Sequence, residues 1–127
     1  MRIFKTRAVA RFAKSERISD ASLSAAIRRA EAGLIDADLG GGLVKQRVAR
    51  AGRGKSGDYR MLVAIRMKDR AVFLFGFAKN DMDNIDARAL ASLREIAGTW
   101  LAADEEKLNL SMKANILFEV RHDDQED

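Results

Sequence analysis

Three cations of this 127-residue chain, Lys45, Arg47 and Arg60, have the types and spacing to act together on a phosphodiester. Lys45 and Arg47 stand two residues apart in the stretch Leu43 to Ala49, where strand geometry sends both to one face and Val44, Gln46 and Val48 to the other. The next apolar stretch, Tyr59 to Met67, puts Tyr59, Met61, Val63, Ile65 and Met67 on one face and leaves Arg60, Leu62, Ala64 and Arg66 opposite. If both apolar faces meet the helices, the three cations converge on an open face. RNA cleavage needs the ribose 2′-hydroxyl deprotonated, the phosphorane charge neutralised and the leaving 5′-oxygen protonated. Arginine suits the second task, because its guanidinium stays protonated and grips two phosphate oxygens. A lysine crowded by other cations has its charged form disfavoured, so its pKa can fall toward the range of a usable base.

Charge concentrates around these residues. Residues 41 to 80 hold ten Lys or Arg against two Asp, a net of +8, whereas residues 1 to 40 carry +3 and residues 81 to 127 carry −7. A field of that sign on a small β-meander fits a polyanion. Basic side chains on one strand face are most often a solvated face, and it is the concentration over forty residues that argues for more. Arg50, Arg53 and Lys55 in the glycine-spaced loop between the two strands, Arg66, and Phe77 and Asn80 at the end of the following strand are the candidate RNA-binding side chains, Phe77 by stacking on a base. Gly52-Arg53-Gly54-Lys55-Ser56 lacks the spacing of a nucleotide-binding P-loop.

The elements that must position these groups follow from hydrophobic period and turn residues. Arg2 to Lys5 reads as a first strand. Thr6 caps a helix over Arg7 to Lys14, and Ser19 caps a second whose Leu23, Ala26, Ile27, Ala30 and Leu34 form an apolar stripe. Ile35 to Gly42 reads as a loop. The third strand of the meander, Ala71 to Ala78, is apolar on both faces and suits a central position, with Phe73, Phe75 and Phe77 on one of them. Asp83 or Asn84 caps a third helix carrying Ile85, Ala89, Leu93, Ile96, Ala97 and Trp100, and Ala103 to Met112 forms a fourth. Ile116 to Val120 is a last strand, and Arg121 to Asp127, five of seven residues charged, is a disordered tail. The expected whole is one α+β domain over residues 1–120, a small antiparallel sheet packed against N-terminal helices and a C-terminal helix.

Composition removes several classes of function. With no Cys there is neither a disulfide framework nor a thiolate metal site, and the single His122 lies in the acidic tail. No signal-peptide pattern and no 18-residue apolar run occur, so a cytoplasmic protein without membrane or metal is expected.

The order strand, two helices, Lys-x-Arg strand, Tyr-Arg strand and apolar strand ending in Lys resembles the RelE/HigB toxins of bacterial toxin–antitoxin modules. The carrying residues are Lys45-Gln46-Arg47, Gly57-Asp58-Tyr59-Arg60 and Phe75-Gly76-Phe77-Ala78-Lys79-Asn80. The long loop and Gly40-Gly41-Gly42 look most like the HigB-type branch. The resemblance implies a fold related to microbial ribonucleases and an endoribonuclease that cleaves mRNA in the ribosomal A site without a metal or other cofactor. It further implies a cognate antitoxin, expected to be a small helix-turn-helix protein, and a catalytic set of Lys45, Arg47, Arg60 and Lys79. Asn80 stands where the best-known members carry a further Arg, and the third helix lacks the Tyr that some use, so the resemblance leaves the acid and base unassigned. Two other classes remain: a ParE-like toxin that inhibits DNA gyrase, and an RNA-binding module without catalysis. Gyrase inhibition needs no ribonuclease constellation, and a bare binding module would bind RNA without cutting it.

Overall fold

A computed structural model describes residues 1–49, 59–78 and 85–121. Its elements run β1 (Arg2–Thr6), α1 (Arg7–Glu16), α2 (Asp20–Glu31), β2 (Ala37–Gly40), β3 (Leu43–Val48), β4 (Tyr59–Arg66), β5 (Arg70–Phe77), α3 (Ala87–Ala102), α4 (Glu105–Lys113) and β6 (Leu117–Glu119). The strands form one six-stranded sheet in the order β2-β3-β4-β5-β1-β6, antiparallel throughout except where β1 runs parallel to β5. Two helices separate β1 from the meander, and such a crossover allows parallel pairing. The architecture is therefore α+β, as the sequence implied, with one parallel pair in the sheet.

Capping side chains begin each helix. Thr6 accepts from the Val9 amide, Ser19 from Ser22, Asp86 from Ala89 and Asp104 from Lys107, each satisfying an amide that the first helical turn leaves without a partner. Helices α1 and α2 cover one face of the sheet with a core that includes Val9, Leu23, Ala26, Ile27, Val44, Val48, Met61, Val63 and Phe73. Helix α3, followed by α4, covers the other face over Phe4, Leu43, Leu62, Ala64, Val72 and Leu74. The meander is thus buried on both sides, and the face carrying Arg60 is closed over by α3 beyond Leu62 rather than open along its length.

Several sequence expectations change for local reasons. The stretch 35 to 42 is not all loop, because β2 pairs with β3 through a two-residue turn at Gly41 and Gly42, both with positive φ (64° and 83°), a conformation glycine adopts without strain. A side chain at Gly42 would also meet the Leu101 methyl at 2.6 Å. Helix α2 stops at Glu31, so Leu34 falls off the stripe and is 63% exposed. In α3 the residues against the core are Leu90, Leu93, Ala97, Trp100 and Leu101, while Ala89 and Ile96 face outward. Met67 lies beyond β4 and is exposed.

Phe73, Phe75 and Phe77 do not share a face. A β-bulge between the Leu62–Phe75 and Val63–Phe73 pairs inserts Leu74, which leaves Phe73 under α1 and α2 and moves Phe75 and Phe77 to the α3 side. On the α1 side Gly76 leaves room for the Phe12 ring, and a Cβ there would land in it. Phe12 in turn meets the buried Tyr59 edge-on, with ring centroids 5.4 Å apart. At the far edge Arg2 ties β1 to Glu119 of β6 and Glu105 of α4; the hydrogen bond to Glu119 is the main cause that raises its pKa above the ordinary arginine value.

Candidate active site

Antiparallel register sets Arg47 of β3 directly opposite Arg60 of β4, and Arg60 directly opposite Phe77 of β5. The three side chains therefore form a row across three strands, about 5 Å apart at each step. The row lies where β3 ends, β4 begins and β5 ends. Lys45, two residues before Arg47, shares its face and lies diagonal to Arg60. Lys45, Arg47, Arg60 and Phe77 are thus brought together. Arg66 is not: it sits at the opposite end of β4, about 20 Å from Arg60 along the strand, in a pair with Asp69. Lys79, Asn80, Arg50, Arg53, Lys55 and the tail residues 122–127 lie outside the described residues.

Arginines placed directly opposite one another destabilise a sheet unless a counter-charge is close. Asp36, in the segment leading into β2, supplies it. Its Oδ2 stands 3.2 Å from Arg60 Nε and 3.6 Å from Lys45 Nζ. The site is therefore a mixed-charge cluster, not the purely cationic one that the sequence suggested. Arg60 keeps only 21% of its side chain exposed, and its Nη1 is buried and makes no hydrogen bond among the described residues. Buried guanidinium nitrogens are nearly always paired, and one left over is costly in a finished interior. The arrangement of one nitrogen held by a carboxylate and another without a partner suits a residue awaiting an anion.

Asp36 is itself held from the other side of the sheet. Gln46, between Lys45 and Arg47 in sequence but pointing the opposite way, is 2% exposed. Its Nε2 donates to the carbonyls of Ala26 (2.8 Å) and Leu34 (3.0 Å), and its Oε1 accepts from the Asp36 amide (3.2 Å). One amide side chain thus ties α2, the 34–36 segment and β3 together. Arg29 of α2 adds a bond from Nη2 to the Arg47 carbonyl at 2.6 Å. Tyr59 belongs to the opposite face, where its hydroxyl donates to Glu16 Oε1 at 2.6 Å, and it serves the packing of α1 rather than the cluster.

Gln46 stood out in the sequence as the polar residue on the apolar face of Val44 and Val48, but Asp36 carried no such signal. Counting back from a two-residue turn at Gly41-Gly42 pairs Asp38 with Lys45; the register shift between Asp38 and Gly40 is what sets Ala37 opposite Lys45 and brings Asp36 alongside Gln46. Among the described residues no three Asp, Glu or His side chains are grouped to hold a metal ion, and no helix is long and apolar enough to cross a membrane.

A family model described as the RelE toxin of the RelE / RelB toxin–antitoxin system matches residues 1–120. The chain belongs to the RelE toxin family. It is a toxin of a toxin–antitoxin system, and a cognate antitoxin is the partner that membership implies. The match spans every described strand and helix, from β1 to β6. A comparison with curated proteins gave no match.

Proposed function

We propose that this RelE-family toxin is a metal-independent endoribonuclease that cuts mRNA in the ribosomal A site and so stops translation. The observation that carries the reading is Arg60, mostly buried and fixed by Asp36 at Nε, with a buried Nη1 that has no partner among the described residues, beside Arg47 and Phe77. Those features support a phosphate clamp: Arg60 Nη1 and the Arg47 guanidinium take the non-bridging oxygens of the scissile phosphate, where charge builds in the transition state. Phe77, half-buried against the α3 side, offers its free ring surface to a neighbouring base. A lysine ammonium, from Lys45 or Lys79, protonates the leaving 5′-oxygen. Arg50, Arg53 and Lys55 contribute charge toward RNA, and Asn80 a neutral polar contact.

Little cleavage is expected without the ribosome, because of how little the site supplies by itself. It clamps and neutralises, and positioning of the mRNA in the A site provides the alignment that makes attack efficient. The Gly40 to Gly42 turn and the long connection between β3 and β4 favour the HigB-type branch, with a small helix-turn-helix antitoxin whose acidic or neutral segment covers the positive face. The test is induction without the antitoxin in growing cells, followed by measurement of protein synthesis and mRNA 5′ ends. New ends within A-site codons and an immediate halt to synthesis are expected. Continued synthesis with DNA damage identifies gyrase inhibition instead, and arrest without new ends identifies RNA binding alone.

A further inference from the structure

The cation cluster accounts for charge neutralisation and for protonation of the leaving group, but it leaves the 2′-hydroxyl proton without an obvious acceptor. Asp36 fills that gap by position. It is a carboxylate with ion-pair contacts to two members of the cluster, Arg60 at 3.2 Å and Lys45 at 3.6 Å, and a third of its side chain is open to solvent. Its backbone is anchored by the Gln46 amide, so the carboxylate is held where the clamp holds the phosphate. Resting on the ribonuclease reading above, we infer that Asp36 is the general base of this site.

In the step this assigns, an Asp36 carboxylate oxygen takes the proton of the ribose 2′-hydroxyl as the 2′-oxygen bonds to phosphorus. The pentacovalent phosphorane is held by Arg60 and Arg47. The bond from phosphorus to the 5′-oxygen then breaks, and that oxygen takes a proton from the Lys45 ammonium. The products are a 2′,3′-cyclic phosphate and a 5′-hydroxyl end. With Asp36 and Lys45 only 3.6 Å apart, the proton gained by one returns to the other and the site is reset. The arrangement also explains why Asp36 engages Arg60 through Nε and not Nη1: the carboxylate and the phosphate occupy different edges of one guanidinium.

The charged groups facing Asp36 are Lys45 and Arg60 by direct pairing, with Arg47 and Arg29 lining the pocket that it borders. The experiment is single-turnover cleavage of mRNA on programmed ribosomes at saturating toxin, comparing the parent with Asp36→Asn and Asp36→Glu. Asn retains an oxygen to accept from Arg60 Nε, so the clamp keeps its shape while the base is removed. The expected result is a fall of about 10²–10⁴-fold for Asp36→Asn, partial activity for Asp36→Glu, and parental ribosome affinity for both. Parental cleavage by Asp36→Asn overturns the assignment, as does an Asp36→Glu protein no faster than Asp36→Asn. A parent that leaves ribosome-bound mRNA intact overturns the ribonuclease reading instead, and this inference with it.

Discussion

Replacing Gln46 with Leu tests the link between the packed side of the sheet and the site. The substitution keeps volume and burial but deletes three hydrogen bonds, to the carbonyls of Ala26 and Leu34 and from the Asp36 amide. Each lost partner does not count equally. The Ala26 carbonyl keeps its helical partner four residues on, so little is lost there. The Leu34 carbonyl and the Asp36 amide are partly buried, so water replaces some of what they lose, and a cost of about 1–3 kcal/mol is expected in place of the full sum. For a domain of this size that corresponds to a melting temperature lower by roughly 3–15 °C. Calorimetry or far-ultraviolet circular dichroism measures it. On ribosomes the variant should cleave at least about tenfold more slowly at saturation, because Asp36 loses its anchor and an ångström-scale displacement is enough to weaken catalysis. A melting temperature and a cleavage rate both equal to the parent's would show that Gln46 neither holds the 34–36 segment nor positions the site.

Three further outcomes are expected. Gly76→Ala should cost about 1–3 kcal/mol, because the new methyl lands in the Phe12 ring; in a Phe12→Ala background the same change should be nearly neutral in a denaturant titration, and an undiminished penalty would refute the contact. Arg70→Met should speed hydrogen exchange in the last turn of α3, since Arg70 Nη1 donates to the carbonyls of Trp100 at 2.8 Å and Ala103 at 2.7 Å, and parental exchange there would show that the cap is dispensable. Arg53→Ala or Lys55→Ala should weaken ribosome association and lower its salt dependence by about one counterion each while sparing the saturated cleavage rate, with a lowered rate at saturation arguing that the loop takes part in the chemistry.

How far the sequence could be read differs element by element. The caps at Thr6 and Ser19 and the alternation around Lys45 and Arg47 are local, and they survive intact in the structure. The expected cap of α3 lay two or three residues before Asp86, because an acidic, polar stretch offers several equivalent starts. The bulge at Leu74 was hidden, since a strand buried on both faces shows no alternation from which a slip could be detected. Strand β2 was missed because Asp38 and Gly40 have poor strand propensity, and pairing with β3 makes the strand. The cations of the site were legible as a charge concentration. Asp36 was not, because its place between Lys45 and Arg60 depends on a hairpin register and on the Gln46 amide, neither of which is a property of the residues beside it.

The most direct test of the ribonuclease reading is single-turnover cleavage by purified toxin on ribosomes carrying a defined codon in the A site, for the parent and Arg60→Ala. Cutting within that codon and little cutting of the same RNA free in solution are expected. Arg60→Ala should lower the rate at saturation by about 10²-fold or more while ribosome affinity changes far less, because the clamp on the transition state is lost. An Arg60→Ala protein that cuts at the parental rate once bound would contradict that reading.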